Sequence, residues 1–184
     1  MFRRIVAPGV ELRLFEMRDA ARLFAVVDRN RTYLRQWLPW VDYTQSAEDI
    51  RAFIARVQEQ FDANQGPQAA IWVNGEISGA LGCHAIDWAN RNSSLGYWVD
   101  AEQQGRGLIT KCCAAMLDYL FHEMSLHRVE IRCGTENRKS CAVPERLGFT
   151  REGVAREAEW VCNRWVDLVV WGLLSRDWKN PNPR

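Results

Sequence analysis

One run of the chain limits the possible folds more than any other. A β-type segment at residues 93–99 precedes Gln104-Gly105-Arg106-Gly107-Leu108-Ile109-Thr110, and an amphipathic helix begins near Gly107. A second β-type segment follows at 128–133, with Val129, Ile131 and Cys133 on one face. Strand, helix, strand in that order implies a parallel pair with a right-handed crossover. The helix carries Leu108, Ile109, Cys112, Cys113, Met116, Leu117, Leu120, Phe121 and Met124, an apolar face wide enough to pack on a sheet. Glycines let the turn before it bend tightly and aim successive N–H groups at one point. The helix N-terminus behind them adds partial positive charge, so the turn suits a pyrophosphate. The same pattern also serves as a plain strand-to-helix turn.

Around this unit the signals are antiparallel. Residues 10–15 alternate as a first strand, and Asp19 can cap a helix carrying Leu23, Val26, Val27 and Leu34. Ser46-Ala47-Glu48-Asp49 resembles a capping box, with Asp at the third helical position, ahead of a stripe at Ile50, Phe53, Ile54, Val57 and Phe61. A strand at 69–73, the dipeptide Asn74-Gly75 and a strand at 76–86 read as a hairpin. Gly79 and Gly82 mark a bulge or a close backbone approach there. A polar turn at 87–92 leads to the strand before the Gly-rich turn. Beyond the parallel pair, a short helix near 140–147 stops at Gly148, and strands at 149–160 and 165–174 turn near Asn163. The tail after Trp178, with Pro181 and Pro183, reads as frayed. With 184 residues and no linker or repeat, the expectation is one α+β domain over 1–184.

Charge and cysteine usage narrow the function classes. The formal net charge of +1 gives no bulk attraction to nucleic acid or membrane, and no window approaches a membrane span of about 20 apolar residues. Met1-Phe2-Arg3-Arg4 is not followed by an apolar run, so no signal peptide is expected. The six cysteines form no C-x-x-C pair, and a reduced, cytoplasmic setting is the simplest reading. His84, His122 and His127 lack zinc-site spacing, and no metal is expected. Nine tryptophans are more than a core of this size needs, which points to a groove or an interface. Trp37 and Trp40 flank Leu38-Pro39 as either a core plug or a substrate wall.

Three separated motifs then converge. Gln104-x-x-Gly107 opens one helix, Asn137-x-x-Ser140 opens a second, and that second helix ends Arg146-Leu147-Gly148-Phe149. Together they resemble the GCN5-related N-acetyltransferases. With Trp37-Leu38-Pro39-Trp40, Gly96-Tyr97-Trp98-Val99 and Ala158-Glu159-Trp160, nearly the whole chain resembles the RimJ/RimL type, which acetylates N-termini of ribosomal proteins. The resemblance implies a seven-stranded, mostly antiparallel sheet with a central splayed parallel pair and about four helices. It also implies acetyl-CoA as donor and a homodimer or higher homo-oligomer. Two residues depart from the broad pattern. Ile109 stands where the family has Gly or Ala, a bulk the RimL-like branch tolerates. Pro144 removes the N–H that would bond the Ser140 carbonyl, which predicts a distorted first turn.

The resemblance assigns roles by position. Gln104, Gly105, Arg106, Gly107, Leu108, Ile109 and Thr110 would cradle the pyrophosphate, and backbone groups of Trp98 and Val99 would pair with the pantetheine arm. Asn137 would bond that arm or simply close a loop. Ser140 would protonate or stabilise the leaving thiolate, or cap its helix. Glu159 would be general base, or a solvated strand charge. His84, Trp37 and Trp40 would touch the acceptor, although a lone strand histidine is commonly structural, and Tyr97 reads as core. An α-amine, with a pKa near 8, is neutral far more often at pH 7 than a lysine near 10.4, which favours an N-terminus or small polar amine for a single carboxylate base. The alternative is acetylation of a small molecule such as an antibiotic, polyamine or toxin. A non-catalytic acyl-CoA-binding module is disfavoured by the presence of both Ser140 and Glu159.

Overall fold

In this computed structural model, residues 2–180 are described, and Pro181 and Pro183 of the tail lie outside them. Eight strands form one sheet: β1 (Arg3–Ala7), β2 (Val10–Leu14), β3 (Gln68–Val73), β4 (Glu76–Cys83), β5 (Asn92–Val99), β6 (Arg128–Gly134), β7 (Thr150–Val161) and β8 (Arg164–Leu174). Their spatial order is β1-β2-β3-β4-β5-β6-β8-β7, with β5 and β6 parallel and every other pair antiparallel. One strand more is present than expected. β1 is an edge strand headed by two arginines, and its Ile5 stays 69% exposed, so it carries little of the burial pattern that marks a strand.

Five helices cover the sheet: α1 (Ala20–Arg29), α2 (Arg31–Leu34), α3 (Ala47–Asp62), α4 (Leu108–Asp118) and α5 (Arg138–Arg146). Strand alternation sorts the core into two layers. Ala70 and Trp72 of β3 face α1 and α3, while Ala69 and Ile71 face the cluster built on α4. α4 supplies Cys112, Cys113, Met116 and Leu117 to that second layer, all fully buried. Burial pushes the thiols of Cys112 and Cys113 up, Cys112 to about 12, so they pack as small apolar groups. The helix does not run to Met124 as one α-helix. It widens into a π-turn at Tyr119–Glu123.

The helix starts are partly as expected. Ser46 Oγ accepts the Asp49 N–H at 3.3 Å, and Asp49 Oδ2 accepts the Ser46 N–H at 2.8 Å, so the box closes with aspartate. Asp19 does not cap α1. Its carboxylate reaches back to the Glu16 N–H at 2.9 Å, and Leu34 belongs to the separate α2. Asn74 and Gly75 both have positive φ, 51° and 84°, as a tight hairpin requires. β4 ends at Cys83, short of Ile86.

Gly79 sits at the irregularity between β3 and β4. A Cβ there would lie 2.4 Å from the Trp98 carbonyl oxygen and 2.9 Å from Val99 Cα. The missing side chain therefore lets the end of β5 press against β4. Gly79→Ala should destabilise the protein by about 1–3 kcal/mol in urea unfolding, as overpacked sites do. Gly153→Ala, with no atom beyond the adjacent residues within 4 Å of its Cβ position, should change stability by less than about 0.5 kcal/mol.

Candidate active site

The site begins where the parallel pair stops. β5 and β6 pair from Asn92↔Arg128 to Leu95↔Ile131 and no further. Beyond that point Gly96–Val99 pairs with β4 alone among the strands, and Arg132–Gly134 with β8 alone. Two ladder bonds, His84 N–H to Ser94 O at 2.8 Å and Asp100 N–H to Ser78 O at 2.8 Å, fix the alternation along β5. Gly96 and Trp98 turn their backbone groups to β4, while Tyr97 and Val99 turn theirs into the gap. This differs from the sequence expectation, in which the backbone groups of both Trp98 and Val99 face the bound arm. Register parity is invisible without a known partner strand.

The far end of β5 is held by Asp100, which is buried. Its carboxylate takes the Arg29 guanidinium and the Asn30 amide, and Asn30 Oδ1 accepts the Ala101 N–H at 3.0 Å. Burial alone would raise its pKa, but Arg29, Asn30 and the Glu102 N–H outweigh that and hold the carboxyl below its ordinary range. The Gly-rich turn leaves this anchor, with Gly105 at φ 74° and Gly107 at φ 70°. α4 starts immediately behind Gly107, and its first intrahelical bond is Lys111 N–H to Gly107 O at 3.1 Å. The N–H groups of Leu108, Ile109 and Thr110 thus have no intrahelical acceptor. At both Gly105 and Gly107 the space a Cβ would occupy has no atom within 4 Å beyond the adjacent residues, so a bulky anion can approach the backbone. Lys139 reaches across to Gln104 Oε1 at 2.9 Å.

The turn, the gap and both tryptophans open into one groove of about 2100 Å³. Its lining includes Trp37, Trp40, His84, Trp98, Val99, Gln104, Asn137, Ser140 and Glu159, together with the turn residues apart from Arg106. The Arg106 side chain instead donates to Gln103 Oε1 at 3.1 Å. Trp37 is a half-buried wall, its ring over Gly134, where a Cβ would come within 3.3 Å. Trp40 stacks at a tilt 6.1 Å from Trp98. Both line the groove, which rules out a fully buried plug. His84 bonds Ser94 Oγ through Nδ1 at 2.9 Å and lies over Gly96. It is exposed by area, yet burial of its ring against the groove wall holds its pKa below that of free imidazole.

Asn137, not Ser140, caps α5: its Oδ1 accepts the Ser140 N–H at 3.1 Å. Ser140 Oγ lies 3.3 Å from both Tyr97 Oη and Cys133 Sγ. α5 continues through Pro144, and the Ser140 carbonyl that Pro144 leaves free accepts the Tyr97 hydroxyl at 2.9 Å. Tyr97 packs against the core, as its sequence suggests, but its hydroxyl contact, like the role of Tyr33, has no local sequence signal. Tyr33 donates to the Val99 carbonyl, and burial, partly offset by Gln104, pushes its pKa up to about 12.

Glu159 is brought in by a bulge. β7 steps four residues from Ala155 to Glu159 while β8 steps two, Leu168 to Val166. Glu157 takes positive φ, 48°, and its N–H donates to Asp167 Oδ1 at 2.8 Å, which pins the bulge. Half-buried on the groove, Glu159 has its pKa raised by burial. Just beyond it, Trp160 and Trp165 meet edge to face at 5.1 Å on the exposed hairpin tip.

Comparison with known proteins decides the family. The acetyltransferase (GNAT) domain matches residues 10–150. The chain belongs to the GNAT acetyltransferase family. It is 36% identical over 180 residues to YdaF of Bacillus subtilis (strain 168), named as a candidate ribosomal N-acetyltransferase, covering 97% of this chain and 98% of that protein. It is 27% identical over 169 residues to the ribosomal-protein-serine acetyltransferase of Escherichia coli (strain K12), covering 92% and 94%. A solved structure of RimL, a ribosomal α-N-protein acetyltransferase in complex with coenzyme A, superposes with TM-score 0.89 at 26% identity, covering 92% of this chain and 96% of that one. The chain is thus an acyl-CoA-dependent N-acetyltransferase with the mixed, splayed sheet of its family. Among the described residues no helix is long and apolar enough to cross a membrane.

The raised pKa of Glu159 carries a sign. A carboxyl whose folded pKa exceeds its unfolded one binds more protons when folded, so its contribution to stability falls as pH rises through that window. Glu159→Gln should therefore match the parent's melting temperature at acidic pH and exceed it at neutral pH. Equal melting temperatures at both would show that the carboxylate is solvated.

Proposed function

We propose that this protein transfers an acetyl group from acetyl-CoA to the N-terminal α-amine of a ribosomal protein. The observation that carries the reading is one groove joining a helix-start anion cradle, a strand edge with inward backbone groups, a serine hydroxyl and a half-buried carboxylate. The acceptor class is inferred from the relatives named above.

The thioester supplies the activated acetyl group. The N–H groups of Leu108, Ile109 and Thr110 hold its pyrophosphate, with the helix dipole adding favourable charge. The backbone of Tyr97 and the Val99 N–H, which face the gap where a strand neighbour is missing, bond the pantetheine arm, while Tyr33 holds the Val99 carbonyl. Asn137, whose amide N–H2 has no protein partner among the described residues, donates to the same arm. A backbone N–H in this gap can also stabilise oxyanion charge, a device worth about 2.7–4 kcal/mol where measured. Glu159 accepts the proton of the attacking amine, and burial moves its pKa toward the useful range. The Ser140 hydroxyl donates to the departing sulfur. Trp37, Trp40 and His84 line the acceptor side. A single-domain, cytoplasmic homo-oligomer completes the reading.

Titration calorimetry with acetyl-CoA, followed by thiol release with peptides beginning Ser or Ala and with a panel of small amines, tests it. Peptide turnover should dominate, and Glu159→Gln should lower kcat about 10²–10⁴-fold, the range for a general base. Turnover confined to small amines would replace the ribosomal acceptor with a small-molecule one. Absence of acetyl-CoA binding would remove the reading altogether.

A further inference from the structure

Three groups from three elements meet where the parallel strands part. Tyr97 lies two residues beyond the last paired residue of β5, Cys133 two beyond the last paired residue of β6, and Ser140 in the first turn of α5. Helical serines commonly return their proton to the carbonyl one turn back. Ser140 does not: its Oγ has Tyr97 Oη and Cys133 Sγ as neighbours, each at 3.3 Å. The Tyr97 proton is already committed to the Ser140 carbonyl at 2.9 Å, so its oxygen can only accept from Ser140. That carbonyl is available because Pro144 has no N–H to give it.

From this geometry we infer that Tyr97 is a positioning residue: with Pro144 it fixes the main chain of Ser140 and aims its hydroxyl at the leaving sulfur. The inference rests on the proposed role of Ser140. At 3.3 Å both acceptors are beyond the usual 2.7–2.8 Å for O–H···O, and sulfur accepts weakly. The serine proton is therefore loosely held and swings to an anionic thiolate, which is a stronger acceptor than either. A phenylalanine at 97 would strand the Ser140 carbonyl and leave Oγ free to turn back along α5. Burial keeps the Tyr97 phenol neutral, so it holds the serine without competing as an acid.

A double-mutant cycle in the thiol-release assay tests this. Ser140→Ala should lower kcat about 10²-fold, the low end for loss of an acid. Tyr97→Phe should lower it about fivefold, the worth of one neutral hydrogen bond, with the acetyl-CoA Kd from calorimetry unchanged. In the Ser140→Ala background, Tyr97→Phe should cost nothing further. Pro144→Ala restores a main-chain donor, so the Tyr97→Phe/Pro144→Ala pair should regain the melting temperature lost in Tyr97→Phe but not its turnover. Additive losses in kcat, or turnover that returns together with melting temperature, would overturn the positioning role while leaving that of Ser140 intact. Full activity in Ser140→Ala would remove the Ser140 role, and the inference with it.

Discussion

The unpairing of β5 and β6 after Leu95 and Ile131 is the constraint on which the rest depends. Parallel strands in mid-sheet ordinarily stay bonded, because buried backbone groups left without partners cost free energy. Here each strand stays paired on its outer edge alone, and among the described residues the gap-facing backbone of Tyr97 and the Val99 N–H stay open. β5 keeps its ladder to β4 as far as Val99, and β6 keeps its ladder to β8 as far as Gly134. Across the gap, Tyr97 ties one strand to α5, and Tyr33 covers the Val99 carbonyl. The opening is thus held by hydrogen bonds to side chains rather than by strain.

Two anchors keep the opening aligned with the helix start. Asp100 clamps the end of β5 to the end of α1 through Arg29 and Asn30. Gly79 lets that same stretch of β5 close onto β4. The Gly-rich turn inherits its position from both, and the start of α4 lines the same groove as the gap. α4 itself is fixed by its buried face on the sheet. Binding geometry at the surface is in this way set by packing beneath it.

Much of this was legible in the sequence because local chemistry specifies it. The Asn74-Gly75 turn, the Ser46/Asp49 box and the wide face of α4 follow from φ preference, capping and periodicity. What was not legible depends on distant partners. The edge strand β1 buries too little to leave a pattern. Tyr97 reads as core and does pack on it, but the partner of its hydroxyl is not legible, because Ser140 stands 43 residues away. Pro144 was expected to distort the first turn of α5, but the freed carbonyl finds the Tyr97 hydroxyl instead. The backbone facing of Trp98 depends on register with β4, which no local motif encodes.

The bulge in β7 has a consequence for how such a groove changes over evolutionary time. Between Ala155 and Glu159 one strand carries two residues more than its partner, an even excess. Because side chains alternate with a period of two, adding or removing residues in pairs leaves Glu159 on the same face, whereas a single insertion would turn it away. Paired changes would lengthen or shorten the bulge beside the groove without turning the carboxylate to the other face. This segment is therefore able to change length in steps of two residues while Glu159 keeps its face of the groove.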